Sequence, residues 1–163
     1  MPNPSIKRDT LKRAPYVKRQ AAVHIAFTIA GAVALIAALA AFEAWRKRRT
    51  IEATFSGRPS LRPEQFYEAY FKENGVPVQV VTGVRSILEE ELGADMSRLV
   101  DTDDFSKNLS FFWAFDSMAD VSIVCALEEK FGIKISDAEA EQTRTVADII
   151  ALVQSKLGAH SAA

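Results

Sequence analysis

The most constraining feature of this chain is a stretch without Asp, Glu, Lys or Arg, the 22 residues from Ala21 to Phe42. As an α-helix the stretch spans roughly 33 Å, enough for the hydrocarbon core of a bilayer. It is apolar all round and bracketed by basic clusters, so a membrane span is expected rather than the buried helix of a soluble protein. A cleaved signal peptide fits less well: the start is long and charged, the apolar run is long, and Arg46-Lys47-Arg48-Arg49 follows at once. Six Lys/Arg precede the run and four follow it, so charge counting alone does not orient it. The denser block after it favours a C-terminal part in the cytoplasm. His24 lies near the edge of the span and is read as interfacial.

The charges divide unevenly around this span. Through Pro63 there are twelve Lys/Arg against three acids, and the remainder holds 18 acids against 8 bases. A basic start and an acidic C-terminal half argue against nucleic acid and for basic protein partners of the acidic half. The lone cysteine, Cys125, excludes an intrachain disulfide and reads as a small core residue between Val124 and Ala126.

Beyond the span, residues 50–62 are rich in polar residues, Pro and Gly and read as a tether. Pro63 suits the first turn of a short helix carrying Phe66, Tyr67, Tyr70 and Phe71, which Gly75 and Pro77 end. Val80, Val81, Val84, Ile87, Leu88 and Leu92 then trace an amphipathic helix stopped by Gly93. A long loop to Phe115 precedes a second helix, Ser117 to Phe131, expected to bury Val121, Val124, Leu127 and Phe131. Ser136 with Glu139 is a capping box for a short third helix. Thr145 with Asp148 starts the last, whose inner face is Val146, Ile149, Ile150, Val153 and Leu157. The expected fold is all-α: one N-terminal transmembrane helix, then a small four-helix bundle with one extra preceding helix. Its parts are a basic segment 1–20, an anchor 21–45, a basic linker 46–62, an accessory aromatic helix 63–75, a helical domain 77–158 and a disordered tail 159–163.

Few residues offer chemistry. Asp101, Asp103 and Asp104 fail as a calcium loop, because the sixth and twelfth positions hold Ser106 and Phe112 where Gly and Glu are needed. They read as solvated loop residues and caps. With His24 and His160 scattered, no histidine-based metal site or Ser-His pair forms, and no Gly-rich phosphate loop occurs. No metal and no enzyme active site are expected. What remains is Ser117, ahead of an apolar-periodic run, with Asp120 three residues on. Taken alone, that spacing is a capping-box pattern.

Its surroundings add more. Val84, Ile87-Leu88 and Leu92-Gly93 are followed by Asp104-Phe105 and Leu109, then by Asp116-Ser117-Met118, Val121 and Ile123-Val124. The match runs on through Ala126-Leu127-Glu128-Glu129-Lys130-Phe131-Gly132-Ile133-Lys134-Ile135-Ser136-Asp137 to Thr145-Val146-Ala147-Asp148-Ile149-Ile150. From Val84 to Leu157 the chain resembles the acyl carrier protein family. The resemblance implies a four-helix bundle whose serine, here Ser117, carries covalent 4′-phosphopantetheine derived from coenzyme A. An acyl group rides on the arm's thiol as a thioester. A phosphate at that place is favoured by helix N-terminal amides and the macrodipole. The implied partners are a phosphopantetheinyl transferase and acyl-loading and acyl-transfer enzymes, expected at a membrane because of the span. The implied docking acids are Asp116, Glu128 and Glu129, with Asp120 standing in for family acids replaced here by Ala119 and Ser122. Two departures set this chain apart. Met118 replaces the usual leucine, and the approach to the serine is longer, lacks glycine and contains Phe111, Phe112, Trp113 and Phe115. The expected protein is a single-pass membrane carrier, its C-terminal domain in the cytoplasm, serving lipid, fatty-acid or polyketide-type synthesis. The alternative is an unmodified, membrane-tethered helical interaction module with Ser117 as a helix cap only.

Overall fold

The computed structural model describes residues 6–161, and the side chains of His24 and of 27–159. Residues 1–5 and 162–163, and with them the ends of the basic segment and of the expected tail, lie outside the described residues. Among the described residues the fold is all-α: α1 (Ile6–Thr54), α2 (Pro63–Tyr70), α3 (Val78–Leu92), α4 (Phe111–Phe115), α5 (Ala119–Phe131), α6 (Asp137–Gln142) and α7 (Val146–Ser161), with one 3-10 turn at Lys72–Asn74. The pairing of Asp104 with Thr145 is an isolated bridge rather than a strand. The chain divides into two compact units, Met1–Lys47 and Arg48–Ala163.

In the first unit, α1 supplies an apolar stretch long enough to cross a membrane by length and composition. Phe27, Ile29, Val33, Leu35, Ile36 and Leu39 are all exposed along it.

The second unit begins with the last two turns of α1, and here the structure departs from the expected tether. Helix continues through Thr54, and Ile51 and Phe55, four residues apart on one face, are buried in the core of the unit. Glu52 forms a two-pronged pair with Arg98 at 2.9 and 2.6 Å. Leu61 donates its amide to the Ser97 carbonyl at 2.7 Å, and Arg85 donates to the Leu61 carbonyl at 2.6 Å. Phe66 and Phe71 also enter the core, while Tyr67 and Tyr70 pack against it half-buried. Fully buried Phe55 and Phe66 each contribute roughly 1.5–3 kcal/mol. Residues 48–75 are therefore a structural layer of this unit.

The bundle follows from local signals. Gly93 and Gly132 adopt φ of 53° and 64° and end α3 and α5 in the left-handed conformation that favours glycine. Gly83 lets α3 approach α5, since a Cβ there would stand 2.8 Å from Phe131 Cζ. Along α5 the buried residues are Ala119, Ile123 and Leu127, with Val124 and Phe131 half-buried, while Val121 and Cys125 are exposed. The inward face is thus rotated from the expected one, and Cys125 is not a core residue. Val146, Ile149, Ile150 and Val153 of α7 are buried as their spacing requires, and Leu157 packs half-buried against them. Helix α7 continues to Ser161, so the first residues of the expected tail are helical.

Candidate functional site

The approach to Ser117 is fixed by polar groups that the surrounding sequence does not advertise. Asp103 and Asp104, expected in solvent, are buried. Asp103 accepts both short bonds of Arg58 Nη1 (2.9 and 2.8 Å), the Asn108 side-chain amide (2.6 Å) and the Val100 amide (2.9 Å). Its own carbonyl receives the Val146 amide at 3.1 Å. Asp104 receives the Ser106 hydroxyl and pairs with Lys107; with the hydroxyl contributing most, its carboxyl is lowered to about 2. Phe105 donates its amide to the Arg144 carbonyl at 2.9 Å. The loop is thereby tied to the α6–α7 connection on one side and to the layer before α2 on the other.

From this base the chain enters α4, a five-residue helix where a loop was expected. Phe112 is buried, whereas Phe111, Trp113 and Phe115 pack half-buried. Trp113 donates Nε1–H to the Phe105 carbonyl at 3.0 Å and lies over the Phe105 ring, with centroids 5.5 Å apart. Asp116 donates its amide to the Phe112 carbonyl and closes α4.

Ser117 follows in a turn, exposed. The cap of α5 is Met118, not Ser117, and it carries no side-chain cap bond. The Ser117 hydroxyl has no hydrogen-bond partner among the described residues. Asp116 accepts the Met118 amide (2.9 Å) and Asp120 accepts the Val121 amide (2.8 Å), so neither carboxylate turns to the serine. These bonds also occupy two amides that a phosphate would otherwise use. The site therefore fits a phosphodiester made at a free, solvent-facing hydroxyl near the positive end of a helix, and not a backbone cradle for a free phosphate.

The four acids expected to dock partners fall at two stations, one around the start of α5 and one near its end. Asp116 and Asp120 flank Ser117, and both are exposed. Glu128 and Glu129 lie farther along, about 12 Å from Asp120 at 1.5 Å per residue. Glu129 is exposed. Glu128 is partly buried, receives the Ile135 amide (2.8 Å) and Lys134 Nζ (3.1 Å), and these bonds hold its carboxyl below the usual range. It braces the segment after Gly132 as well as adding charge.

Beside this face runs a cleft of about 520 Å³, in the range of small-molecule sites. Asp120, Val124, Leu127 and Glu128 of α5 form one wall and Ala140, Ile149 and Leu152 of α6 and α7 another. Phe105 and Trp113 supply the aromatic part of its lining. Sequence reasoning missed this pair as a unit, because a tryptophan in a presumed loop gives no sign of what its indole stacks on.

A protein-family model described as the phosphopantetheine attachment site matches residues 82–153. The acyl carrier protein of Thermosynechococcus vestitus is 32% identical over 81 residues, covering 50% of this chain and 95% of that protein. That of Chlamydia caviae is 37% identical over 75 residues, 46% of this chain and 92% of its own length. That of Thermotoga maritima is 34% identical over 80 residues, 49% and 94% respectively.

Proposed function

The chain belongs to the acyl carrier protein family, and from that premise we propose that Ser117 is its point of attachment for 4′-phosphopantetheine and that α1 holds it at a membrane. The family's members are carriers without a catalytic site of their own, and their prosthetic group is 4′-phosphopantetheine. When bound, that group supplies a flexible arm ending in a thiol on which an acyl group rides as a thioester. The observation that carries the assignment is the exposed Ser117 hydroxyl with no internal partner. A hydroxyl engaged as a cap would have to break its bond before it reacted. In attachment, Ser117 Oγ forms a bond to the pantetheine-side phosphorus of coenzyme A. The pyrophosphate linkage breaks, 3′,5′-ADP leaves, and the hydroxyl proton passes to a base of the transferase.

Asp116 and Asp120 present negative charge beside that hydroxyl, and Glu129 farther along α5, for basic patches on a phosphopantetheinyl transferase and on acyl-loading and acyl-transfer enzymes, with Glu128 contributing from its brace. The apolar stretch of α1 keeps the thioester close to membrane-associated partners, in lipid, fatty-acid or polyketide-type synthesis. Because coenzyme A is cytosolic, the second unit faces the cytoplasm. Intact-mass measurement after co-expression with a broad-specificity phosphopantetheinyl transferase tests the assignment. One phosphopantetheine is expected on the wild-type chain and none on Ser117→Ala. An unmodified wild-type chain sinks the carrier reading, and protease protection of residues 64–157 in inside-out vesicles, whose outer surface is the cytoplasmic face, sinks the cytoplasmic placement.

A further inference from the structure

The cleft along α5 has three properties that together select an occupant. Its lining includes Asp120 and Val121, one helical turn beyond Ser117, so a chain carried on that serine reaches it without crossing the bundle. Its interior is apolar, from Val124 and Leu127 across to Ile149 and Leu152. Its lining also includes Asp120, Glu128, Asp137 and Glu141, four carboxylates that repel a free fatty-acid anion but not a neutral ester or thioester. An acyl chain delivered on the protein's own arm meets all three conditions, which rests this inference on the carrier reading above.

The aromatic part of the lining, Phe105 and Trp113, differs in kind from the aliphatic part. Leu127, Val124, Ile149 and Leu152 are aliphatic side chains held by packing alone, with no side-chain hydrogen bond to break as a chain enters. Trp113 is fixed: its Nε1–H is bonded to the Phe105 carbonyl at 3.0 Å and its ring lies against the Phe105 ring. Phe105 is in turn held by its amide to Arg144 and by the adjoining Asp104–Thr145 bridge. Moving the indole costs a hydrogen bond and a ring contact together. Trp113 also belongs to α4, the segment in which the approach to the serine is lengthened in this chain. We propose that Trp113, braced by Phe105, is the residue that limits the length of acyl chain this carrier shelters.

The test uses the full chain in mild detergent. Wild type, Trp113→Ala and Trp113→Phe are loaded by a broad-specificity phosphopantetheinyl transferase with straight-chain acyl-coenzyme A donors from butanoyl to hexadecanoyl. Loading is read by intact mass, and only fully loaded protein is compared. The measured quantity is the rate at which hydroxylamine cleaves each thioester. In wild type, protection rises with chain length to an optimum and then declines. Trp113→Ala shifts that optimum to longer chains, and Trp113→Phe shifts it less in the same direction. If the alanine variant does not fold, by circular dichroism and melting, Trp113→Phe and Phe105→Leu carry the same expectation. Full loading with an optimum that stays in place in folded variants overturns the inference and leaves the carrier reading standing. Cleavage rates independent of chain length in wild type do the same. Absence of any adduct on the wild-type chain removes the carrier reading and this inference with it.

Discussion

Two serines in this molecule share one sequence pattern and have opposite fates. Ser117 and Ser136 each precede a helix and each have an acid three residues on, Asp120 and Glu139. At Ser136 the pattern closes as written: Glu139 accepts the Ser136 amide at 2.9 Å and its hydroxyl at 2.7 Å, and Lys156 Nζ pairs with the same carboxylate. At Ser117 nothing closes, because Met118 takes the cap position and Asp120 turns to Val121. The difference is set by what precedes each serine. Ser136 sits in extended backbone, φ −80° and ψ 158°, as an N-cap should, whereas Ser117 leaves a helix one residue earlier and enters a turn. A spacing rule identifies a helix start; the chain entering it decides whether the hydroxyl is spent or left available.

The sharpest way to break this contrast is Ser117→Ala. It should abolish phosphopantetheinylation by intact mass while leaving the melting temperature unchanged; a loss of stability typical of a cap would show that the hydroxyl is not free. The next effect tests whether the free serine depends on bound groups upstream. Arg58→Met strands the buried Asp103 carboxylate and should cost about 3 kcal/mol in urea unfolding. Ser136→Ala should cost about 1 kcal/mol and leave modification of Ser117 intact, the mirror image of the first variant. The smallest effect is a pH dependence. Lys156, then the Ser136 amide and hydroxyl, hold Glu139 down to about 2, against about 4.5 when free. A carboxyl depressed in the folded state stabilises above its free value, and that contribution is lost as pH falls from about 4.5 through about 2. Glu139→Gln should flatten the acid limb of the unfolding midpoint in that window and do nothing to the chemistry at Ser117.

The elements that the sequence displays plainly are those written in short-range signals. The faces of α3 and α7, the glycine stops at Gly93 and Gly132, and the capping box at Ser136 all depend on residues within a few positions of one another. Three misjudgements arose where such short-range signals are absent or ambiguous. Asp103 looked solvated because its cation, Arg58, stands 45 residues away. Residues 50–62 looked like a tether because Ile51 and Phe55 make a single turn of apolar pattern amid Arg, Thr and Ser, too short to register as periodic. Along α5 the run from Val121 through Leu127 is apolar at nearly every position, so periodicity alone did not fix which side faces inward, and Val121 and Cys125 fall outside. At the site, Ser117 itself was legible from its surroundings, while its freedom from capping and the Phe105–Trp113 wall were not, since both depend on α4.

The docking of residues 48–75 also decides where this protein can be cut. A fragment trimmed to the region matched by the family model, residues 82–153, would discard Ile51, Phe55, Phe66 and Phe71 from the core and leave Asp103 and Arg85 without the groups that engage them. A working excised domain should start upstream of Arg48, inside α1, with the last turns of that helix kept as its first structural element.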